Sequence, residues 1–292
     1  MGTLKILPCL DSEDIALEVK RSLDINRGVA AELGQTAVEA ARLGYYFTRD
    51  NTKVSWGNMV QHAVLAKKSI PPQAELPTPA STEFPETEVQ VTNETTLRAG
   101  FRLYKQGLAP LALNFANGIH PGGGFLSGAR AQEENLCRSS ALYMTLTGDP
   151  MYEAHMKRPR PDSTDWAILS PDVPIFRTDD GTALDEPWFM SFITCAAPYV
   201  PGVGQPESGD LLQRRIHRVL AIARAYGYQD LILGAWGCGA FGNDPWRTAQ
   251  DFRTALEGAF SGAFHHVVFA VTDWSPERKF LKPFRETFTE GK

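Results

Sequence analysis

Short apolar segments alternate with longer amphipathic segments over the C-terminal two-thirds of the chain. The short segments are rich in β-branched and aromatic residues and predict strands, whereas the longer ones predict helices. The predicted strands are EVQV, LALNFA, WFMSFITCA, DLILGA and HVVFAV. The predicted helices lie around 94–106, 131–146, 209–226 and 244–259. This alternation favours an α/β fold in which helices cover both faces of a mostly parallel sheet.

The N-terminal region follows a different pattern. A helix is predicted from Arg27 to Leu43, ending at Gly44. Its apolar stripe consists of Val29, Leu33, Val38 and Ala41. Residues 71–88 contain five prolines, four glutamates and no basic residue, a composition typical of a semi-rigid connector. We therefore divide the chain into an accessory segment (1–70), a Pro/Glu-rich linker (71–88) and a main domain (89–292).

Composition and charge restrict the classes of partner. Hydrophobic residues at 43% and charged residues at 22% are ordinary for a soluble globular protein. A net charge of −5 argues against binding a polyanion through a broad basic field, and no sequence-specific nucleic-acid binding is expected. An anionic ligand would have to be held locally, by backbone amides and helix N-termini.

The location of the chain and its metal content are predicted from what the sequence lacks. The first twenty residues meet charges too soon to form a secretory h-region, and no apolar run is long enough to span a membrane, so we expect a cytoplasmic protein. The widely spaced Cys9, Cys137, Cys195 and Cys238 indicate reduced thiols. The six histidines show no spacing typical of sequence-local metal ligands, and we predict neither a metal site nor a cofactor.

A glycine-rich segment follows the predicted strand LALNFA. Gly122, Gly123 and Gly124 have no Cβ, so a ligand can approach the peptide N–H groups closely. Taken alone, this is as often a flexible surface loop as a binding loop. Glu133 and Glu134 begin the next helix, where carboxylates are common and where one could simply pair with a basic residue four positions on. The combination is more informative, because adjacent helical side chains point about 100° apart and can do different work.

A second glycine-rich segment follows the strand DLILGA. Gly237, Cys238, Gly239, Ala240, Phe241 and Gly242 form a G-x-G-x-x-G pattern, which Asn243 or Asp244 can cap before a helix starting at Pro245. A dinucleotide-binding Rossmann fold is disfavoured, since that motif opens its fold and only 50 residues follow. Glycines leading to a helix N-terminus still form an anion site suited to a pyrophosphate.

The first glycine-rich segment and the acidic pair that follows it resemble the signature of a known family. The three glycines, seven further residues and then Gln132-Glu133-Glu134 resemble the signature of poly(ADP-ribose) glycohydrolases, and the surrounding segment LNFANGIHPGGGFLSGARAQEENLCRSSALY resembles the microbial branch. The resemblance covers roughly residues 89–292. It implies a macrodomain-like, three-layer α/β/α fold, hydrolysis of poly(ADP-ribose) or of an ADP-ribosylated protein, and a role in the DNA damage response.

The resemblance also assigns residues. It implies that Glu134 donates a proton to the leaving oxygen and that Glu133 holds ribose hydroxyls. Asn117, which could equally be a turn cap, would bind the terminal ribose. The second loop would surround the diphosphate, with Phe241 against the ribose unless that ring is simply buried, and Gln132 would orient the first loop. Phe269 and Asp273 are weaker candidates for the adenine border.

Three alternatives stay open. A hydrolase that removes mono-ADP-ribose from protein or nucleic acid would keep the pocket and change the bond. An ADP-ribose reader would bind without turnover, but it would not need the carboxylate pair. A dinucleotide-dependent oxidoreductase is the remaining candidate.

Overall fold

The strands form one large sheet and one small hairpin in the computed structural model, which describes residues 2–79 and 83–289. Within those residues the strands are β1 (Thr3–Ile6), β2 (Tyr45–Phe47), β3 (Lys53–Ser55), β4 (Lys68–Ile70), β5 (Glu86–Thr92), β6 (Leu111–Ala116), β7 (Ala167–Arg177), β8 (Ala183–Ala196), β9 (Asp230–Leu233) and β10 (His266–Ala270). The eight-stranded sheet has the order β1-β5-β10-β9-β6-β8-β7-β4, and β2 pairs with β3.

Helices connect most of these strands. They are α1 (Glu13–Leu23), α2 (Arg27–Leu43), α3 (Gly57–Ala66), α4 (Thr96–Lys105), α5 (Gln132–Ser139), α6 (Leu142–Leu146), α7 (Pro150–Met156), α8 (Val200–Val203), α9 (Glu207–Ala225), α10 (Pro245–Glu257) and α11 (Leu281–Thr287), with a 3₁₀ helix at Phe125–Ser127. Over the described residues, none of them combines the length and apolar character needed to cross a membrane.

The large sheet is mixed but mostly parallel, as the sequence predicts. Strands β1, β5, β10, β9, β6 and β8 run parallel to one another in that order, whereas β7 is antiparallel to both β8 and β4. The carboxyl ends of the parallel strands therefore meet at one edge, where ligands bind in open α/β sheets.

Apolar side chains fill a core on each face of the sheet. Along β9, Leu231 and Leu233 enter one core and Ile232 enters the other, because successive strand residues point to opposite faces. The first core includes buried residues of α9, α10 and α11, and the second includes those of α2 to α6. Two helical layers around one sheet confirm the predicted α/β/α arrangement.

The predicted strands and helices are present, with two differences. Residues 131–146 form two helices, α5 and α6, with Ser140 extended between them. Strand β7 was not predicted, since its sequence AILSPDVPIFR contains two prolines, which are rare in strand interiors. The register shifts between Ser170 and Val173, and Asp172 adopts a φ of 46° there, so a bulge accommodates the irregular stretch.

The predicted helix Arg27–Leu43 is confirmed together with its left-handed end at Gly44. The apolar stripe was wrong at Val29, which is exposed. The prediction is right at Ala41, and the other buried residues of the helix are Ala30, Gly34, Ala37 and Ala40. Small residues are needed there because the helix packs closely on the 3₁₀ helix: a Cβ at Gly34 would lie 2.7 Å from the backbone oxygen of Phe125.

Residues before the linker complete both edges of the large sheet. Strand β1 pairs with β5 at one edge and β4 pairs with β7 at the other. Parts of the linker are also fixed, since the Arg218 guanidinium donates to the Pro71 oxygen at 2.9 Å, and β5 already begins at Glu86. The division at residues 70 and 88 remains a prediction, and residues 1, 80–82 and 290–292 of the divided chain lie outside the described ranges.

Two glycines of α2 provide a matched test of this packing. We expect Gly34→Ala to lower the free energy of unfolding by about 1–3 kcal/mol through overpacking against Phe125. Gly28→Ala, whose nearest contact would be the Asn26 side chain at 3.4 Å, should be neutral or stabilising by up to about 1 kcal/mol. Urea unfolding of both variants measures the difference. Equal stability would show that α2 does not pack tightly on the 3₁₀ helix.

Candidate active site

Both glycine-rich loops lie at the carboxyl edge of the sheet, where they follow the neighbouring strands β6 and β9. Beside them is a cavity of about 620 Å³. Its lining includes Lys20, Thr95, Phe115, Arg130, Gln132, Asn135, Ala235, Gly239, Thr272, Asp273, Trp274 and Lys279. Gln132 and Gly239 bring the two loops to one cavity, whereas the Glu133 and Glu134 side chains are outside its lining. The two loops and helix α5, which carries the carboxylates, therefore lie next to one another at this edge of the sheet.

The triple-glycine loop is shaped to fit two carboxylates. Gly122 and Gly123 adopt positive φ values of 70° and 58°, which side chains other than glycine rarely adopt. A Cβ at Gly123 would overlap the Glu134 Oε1 atom and would approach the Glu133 Oε2 atom to 3.1 Å. The Gly124 N–H donates to Glu134 Oε1 at 3.0 Å. The glycines are therefore required by the fold of this loop, and the N–H groups of Gly123 and Gly124 donate within the protein, to the His120 oxygen and to Glu134.

Glu133 is buried, with 3% of its surface exposed. Its Oε2 accepts a 2.7 Å hydrogen bond from the Asn117 N–H, and its Oε1 accepts one of 3.3 Å from Asn114 Nδ2. Burial raises the pKa of Glu133 to about 8 and outweighs these two hydrogen bonds, while the neighbouring Glu134 charge raises the pKa further. Glu133 is held in one orientation and retains its proton up to an unusually high pH.

Glu134 is less enclosed, with 9% of its surface exposed. Within residues 2–79 and 83–289 it forms no ion pair, and its Oε2 atom accepts no hydrogen bond. Arg138, the possible partner four residues on, donates instead to the Ala129 oxygen at 2.9 Å and to Asn135 Oδ1 at 3.2 Å. The simple helix pair considered from the sequence is therefore not formed. One oxygen of Glu134 is available for proton transfer.

Gln132 and Asn117 connect the loop to the strand. Gln132 Oε1 accepts from the Phe115 N–H at 2.9 Å, and its Nε2 donates to the Leu113 oxygen at 2.8 Å, which fixes the start of α5 beside β6. Asn117 Oδ1 accepts from the backbone of Ile119 and His120 and forms the turn cap considered above. A role for Asn117 in ribose binding remains a prediction that concerns its Nδ2 group.

The second loop offers backbone N–H groups to the outside. In the described part of the chain, the N–H groups of Gly239, Ala240 and Phe241 donate no hydrogen bond. A Cβ at Gly239 would meet no protein atom within 4 Å. Helix α10 follows at Pro245, and Asp244 caps it as predicted, its side chain accepting from Trp246 at 2.9 Å. Consecutive free N–H groups before a helix N-terminus form an anion site.

Side chains inside this loop have structural contacts. Gly237 and Gly242 adopt φ values of 75° and 76°. Cys238 is buried, and burial raises its pKa to about 12, so it stays a thiol and can offer a ligand only its backbone. Phe241 is half-buried, packs on the first core and meets Tyr199 edge-to-face at 5.7 Å. Both readings of Phe241 stay open, since part of its ring remains exposed.

Phe269 and Asp273, the candidates for the adenine border, differ in their access to the cavity. Phe269 is fully buried among Phe252, Phe284 and Phe288 and does not line the cavity. Asp273 lines it, but its carboxylate accepts from the N–H groups of Ser275, Phe280 and Leu281 and organises the local chain. The assignment of Phe269 was therefore wrong.

Several cavity residues were missed by the sequence analysis. Arg130 lies between the glycine loop and Gln132, so its position in the motif could have indicated it. Lys20 comes from α1, Lys279 and Trp274 follow β10, and no local pattern marks them. The lining is of mixed charge, since Asp24, Glu94 and Asp273 accompany the basic residues, and Trp274 offers a flat ring for stacking.

Comparison with known proteins agrees with this geometry. Residues 34–178 match the model of the microbial-type PARG (poly(ADP-ribose) glycohydrolase) catalytic domain. The crystal structure of poly(ADP-ribose) glycohydrolase from Thermomonospora curvata is 39% identical, covers 89% of this chain and 100% of that chain, and superposes with a TM-score of 0.82. The chain belongs to the microbial-type PARG family. No curated protein sequence matches it.

Two further PARG structures are similar. The Thermomonospora curvata enzyme bound to the inhibitor ADP-HPD is 39% identical, covers 89% of this chain and 99% of that chain, with a TM-score of 0.81. The Deinococcus radiodurans enzyme in complex with ADP-ribose is 37% identical, covers 78% of this chain and 96% of that chain, with a TM-score of 0.70. The PARG fold is thus present over most of the chain.

The raised pKa of Glu133 predicts how the stability of this PARG-family chain depends on pH. The folded chain keeps the proton up to about pH 8, whereas the unfolded chain releases it near the ordinary value of 4.5. The contribution of Glu133 to stability is therefore greatest below pH 4.5 and falls as pH rises to about 8, by at most about 1.4 kcal/mol per pH unit. The free energy of unfolding of wild type and of Glu133→Gln is measured by denaturant titration at a series of pH values. Plotted against pH, the two free energies should converge at low pH and diverge as pH rises. Parallel curves would contradict the shift.

The open space at Gly239 allows ligand contact to be tested without disturbing the fold. Gly239→Ala and Gly239→Val should keep the melting temperature, because a Cβ at this exposed position would meet no protein atom within 4 Å. Both should weaken ADP-ribose binding measured by calorimetry, valine more than alanine, because the new atoms occupy the ligand's approach to the loop N–H groups. Unchanged affinity in a folded valine variant would show that this loop is only a turn.

Proposed function

We propose that the chain hydrolyses the ribose–ribose O-glycosidic bond of poly(ADP-ribose) and releases ADP-ribose. One observation carries the proposal: two adjacent carboxylates lie against Gly123, at the sheet edge where an open cavity and a set of free backbone N–H groups meet. A binding module would not need the second carboxylate. The solved relatives whose structures hold ADP-ribose or an inhibitor support the ligand class.

The hydrogen bonds divide the work between the glutamates. Cleavage of a glycosidic bond passes through an oxocarbenium-like state, and the leaving oxygen needs a proton. Both oxygens of Glu133 already accept hydrogen bonds from β6 and the residue after it, so we assign Glu133 to holding ribose hydroxyls. Glu134 has an oxygen without a partner among the described residues, so we assign it proton donation and then activation of water.

The second loop supplies the charge recognition. The substrate carries a pyrophosphate, and the chain's net charge of −5 offers no general attraction to it. The free N–H groups of Gly239, Ala240 and Phe241, at the N-terminal side of α10, would bind the phosphate oxygens. Gly122, Gly123 and Gly124 would face the ribose beside the carboxylates. No metal or cofactor takes part in this scheme.

We further propose that this hydrolase works in the cytoplasm, in the DNA damage response, as the sequence analysis predicts. The four cysteines are free thiols, which suits a reducing compartment. Residues 1–70 would act as an accessory segment whose α1 contributes Lys20 to the cavity wall.

Substitution of Glu134 separates chemistry from binding. Glu134→Gln keeps the acceptor for the Gly124 N–H but cannot transfer protons, so turnover of poly(ADP-ribose) should fall by about 10²–10⁴. ADP-ribose affinity should change by less than about tenfold, or about 1.4 kcal/mol. Glu39→Gln, on the exposed face of α2, is the matched control and should change neither.

The rate and the affinity should be measured on the same folded samples. Near-normal turnover in Glu134→Gln would remove the general acid from the scheme. Loss of ADP-ribose binding in parallel with the rate would mean that Glu134 positions the ligand instead.

A further inference from the structure

A row of polar side chains crosses four strands at the amino edge of the sheet, opposite the cavity. Lys5 on β1 is in register with Glu88 on β5, Glu88 with His266 on β10, and His266 with Asp230 on β9. Residues in register on parallel strands point to the same face of a sheet. Within this row, the carboxylates of Glu88 and Asp230 both lie within contact distance of the His266 imidazole.

The chain brings a second imidazole to the same place. Neighbouring residues inside a strand point to opposite faces, but His265 precedes β10, and the N–H groups of His265 and His266 both donate to the Gln229 oxygen. The two rings consequently lie side by side, with centroids 3.8 Å apart. Asp230 Oδ1 is 2.7 Å from His266 Nδ1 and 3.5 Å from His265 Nδ1. Two imidazole nitrogens thus converge on one carboxylate.

We propose that Asp230, His265 and His266 bind a divalent transition-metal ion of the zinc type. One ligand atom from each lies within 4.8 Å of the others. Tetrahedral zinc with bonds of about 2.0–2.1 Å separates its ligand atoms by about 3.3 Å, so small side-chain shifts suffice. Two imidazoles and a carboxylate suit zinc, nickel or copper better than calcium or magnesium, which prefer oxygen ligands.

The contacts of His266 favour a metal site over a simple row of ion pairs between neighbouring strands. Its Nε2 lies 3.3 Å from Glu88 Oε2, while its Nδ1 faces Asp230. A histidine that binds a metal typically donates its other ring N–H to a carboxylate, which fixes the tautomer and the ring orientation. Phe84 stacks on the His265 ring at 5.3 Å and restricts its rotation. Each imidazole is therefore held by a neighbour that is not itself a ligand.

The site is open to solvent and separate from the catalytic region. The side chains of His265, His266 and Asp230 are 45%, 20% and 9% exposed, so an ion can enter and a water molecule can complete its coordination. Asp230 and His266 begin the strands whose opposite ends lead to the active-site loops. An ion here would join β9 to β10 and stabilise the folded state without taking part in hydrolysis.

Zinc titration of the full-length, tag-free chain tests the site. Calorimetry should show one zinc ion bound per chain, and zinc should raise the melting temperature. Asp230→Asn and His265→Ala should abolish this binding. Glu88→Gln should weaken it by about 10–100-fold, since Glu88 only orients a ligand. His62→Ala, which removes an exposed histidine of α3, is the control and should bind zinc as wild type does.

Circular dichroism confirms that each variant is folded before titration. Cobalt absorption should give a tetrahedral spectrum in wild type and in His62→Ala. Absence of saturable zinc binding in wild type, or binding that survives both Asp230→Asn and His265→Ala, would overturn the proposal. Poly(ADP-ribose) hydrolysis should be equal with and without EDTA, so failure of the metal site would leave the proposed function intact.

Discussion

The close contact between Gly123 and the two carboxylates is the constraint on which the site depends. Glu133 and Glu134 are consecutive residues with almost no exposed surface, and charged groups are costly to bury unless hydrogen bonds or protonation compensate. The structure uses both means: Asn117 and Gly124 donate backbone hydrogen bonds, and the pKa of Glu133 is raised. A side chain at Gly123 would occupy the space of the carboxylates, so the glycine and the acids require one another.

This contact is supported by parts of the chain that are distant in sequence. The 3₁₀ helix that ends the glycine loop packs against Gly34 of α2, and Arg130 beside it donates to the Ile25 oxygen at 2.7 Å. Gln132 fixes the other side of the loop to β6. The N-terminal residues therefore hold the triple-glycine loop in place in addition to completing the sheet. Positioning of the glutamates is a property of the whole fold.

The sequence predicts those features that depend on local rules. Backbone preferences predict the start of α10, with Asp244 as its cap and Pro245 as its first residue, and they predict the end of α2 at Gly44. Both predictions are confirmed. Features set by tertiary contacts were missed or wrong. In strand β7 a bulge at Asp172 interrupts the register beside Pro171, and Phe269 packs in the core although it lies near a strand end. Asp230 and His266 are brought together by the pairing of β9 with β10.

Product analysis tests the central claim most directly. The purified chain is incubated separately with poly(ADP-ribose) and with a mono-ADP-ribosylated protein, and the products are identified by mass spectrometry. The account predicts that free ADP-ribose is released from the polymer by wild type and that Glu134→Gln releases far less. An intact polymer together with release of ADP-ribose from the modified protein would assign the carboxylates to a different bond. No product from either substrate, with ADP-ribose still bound, would make the protein a reader and contradict the account.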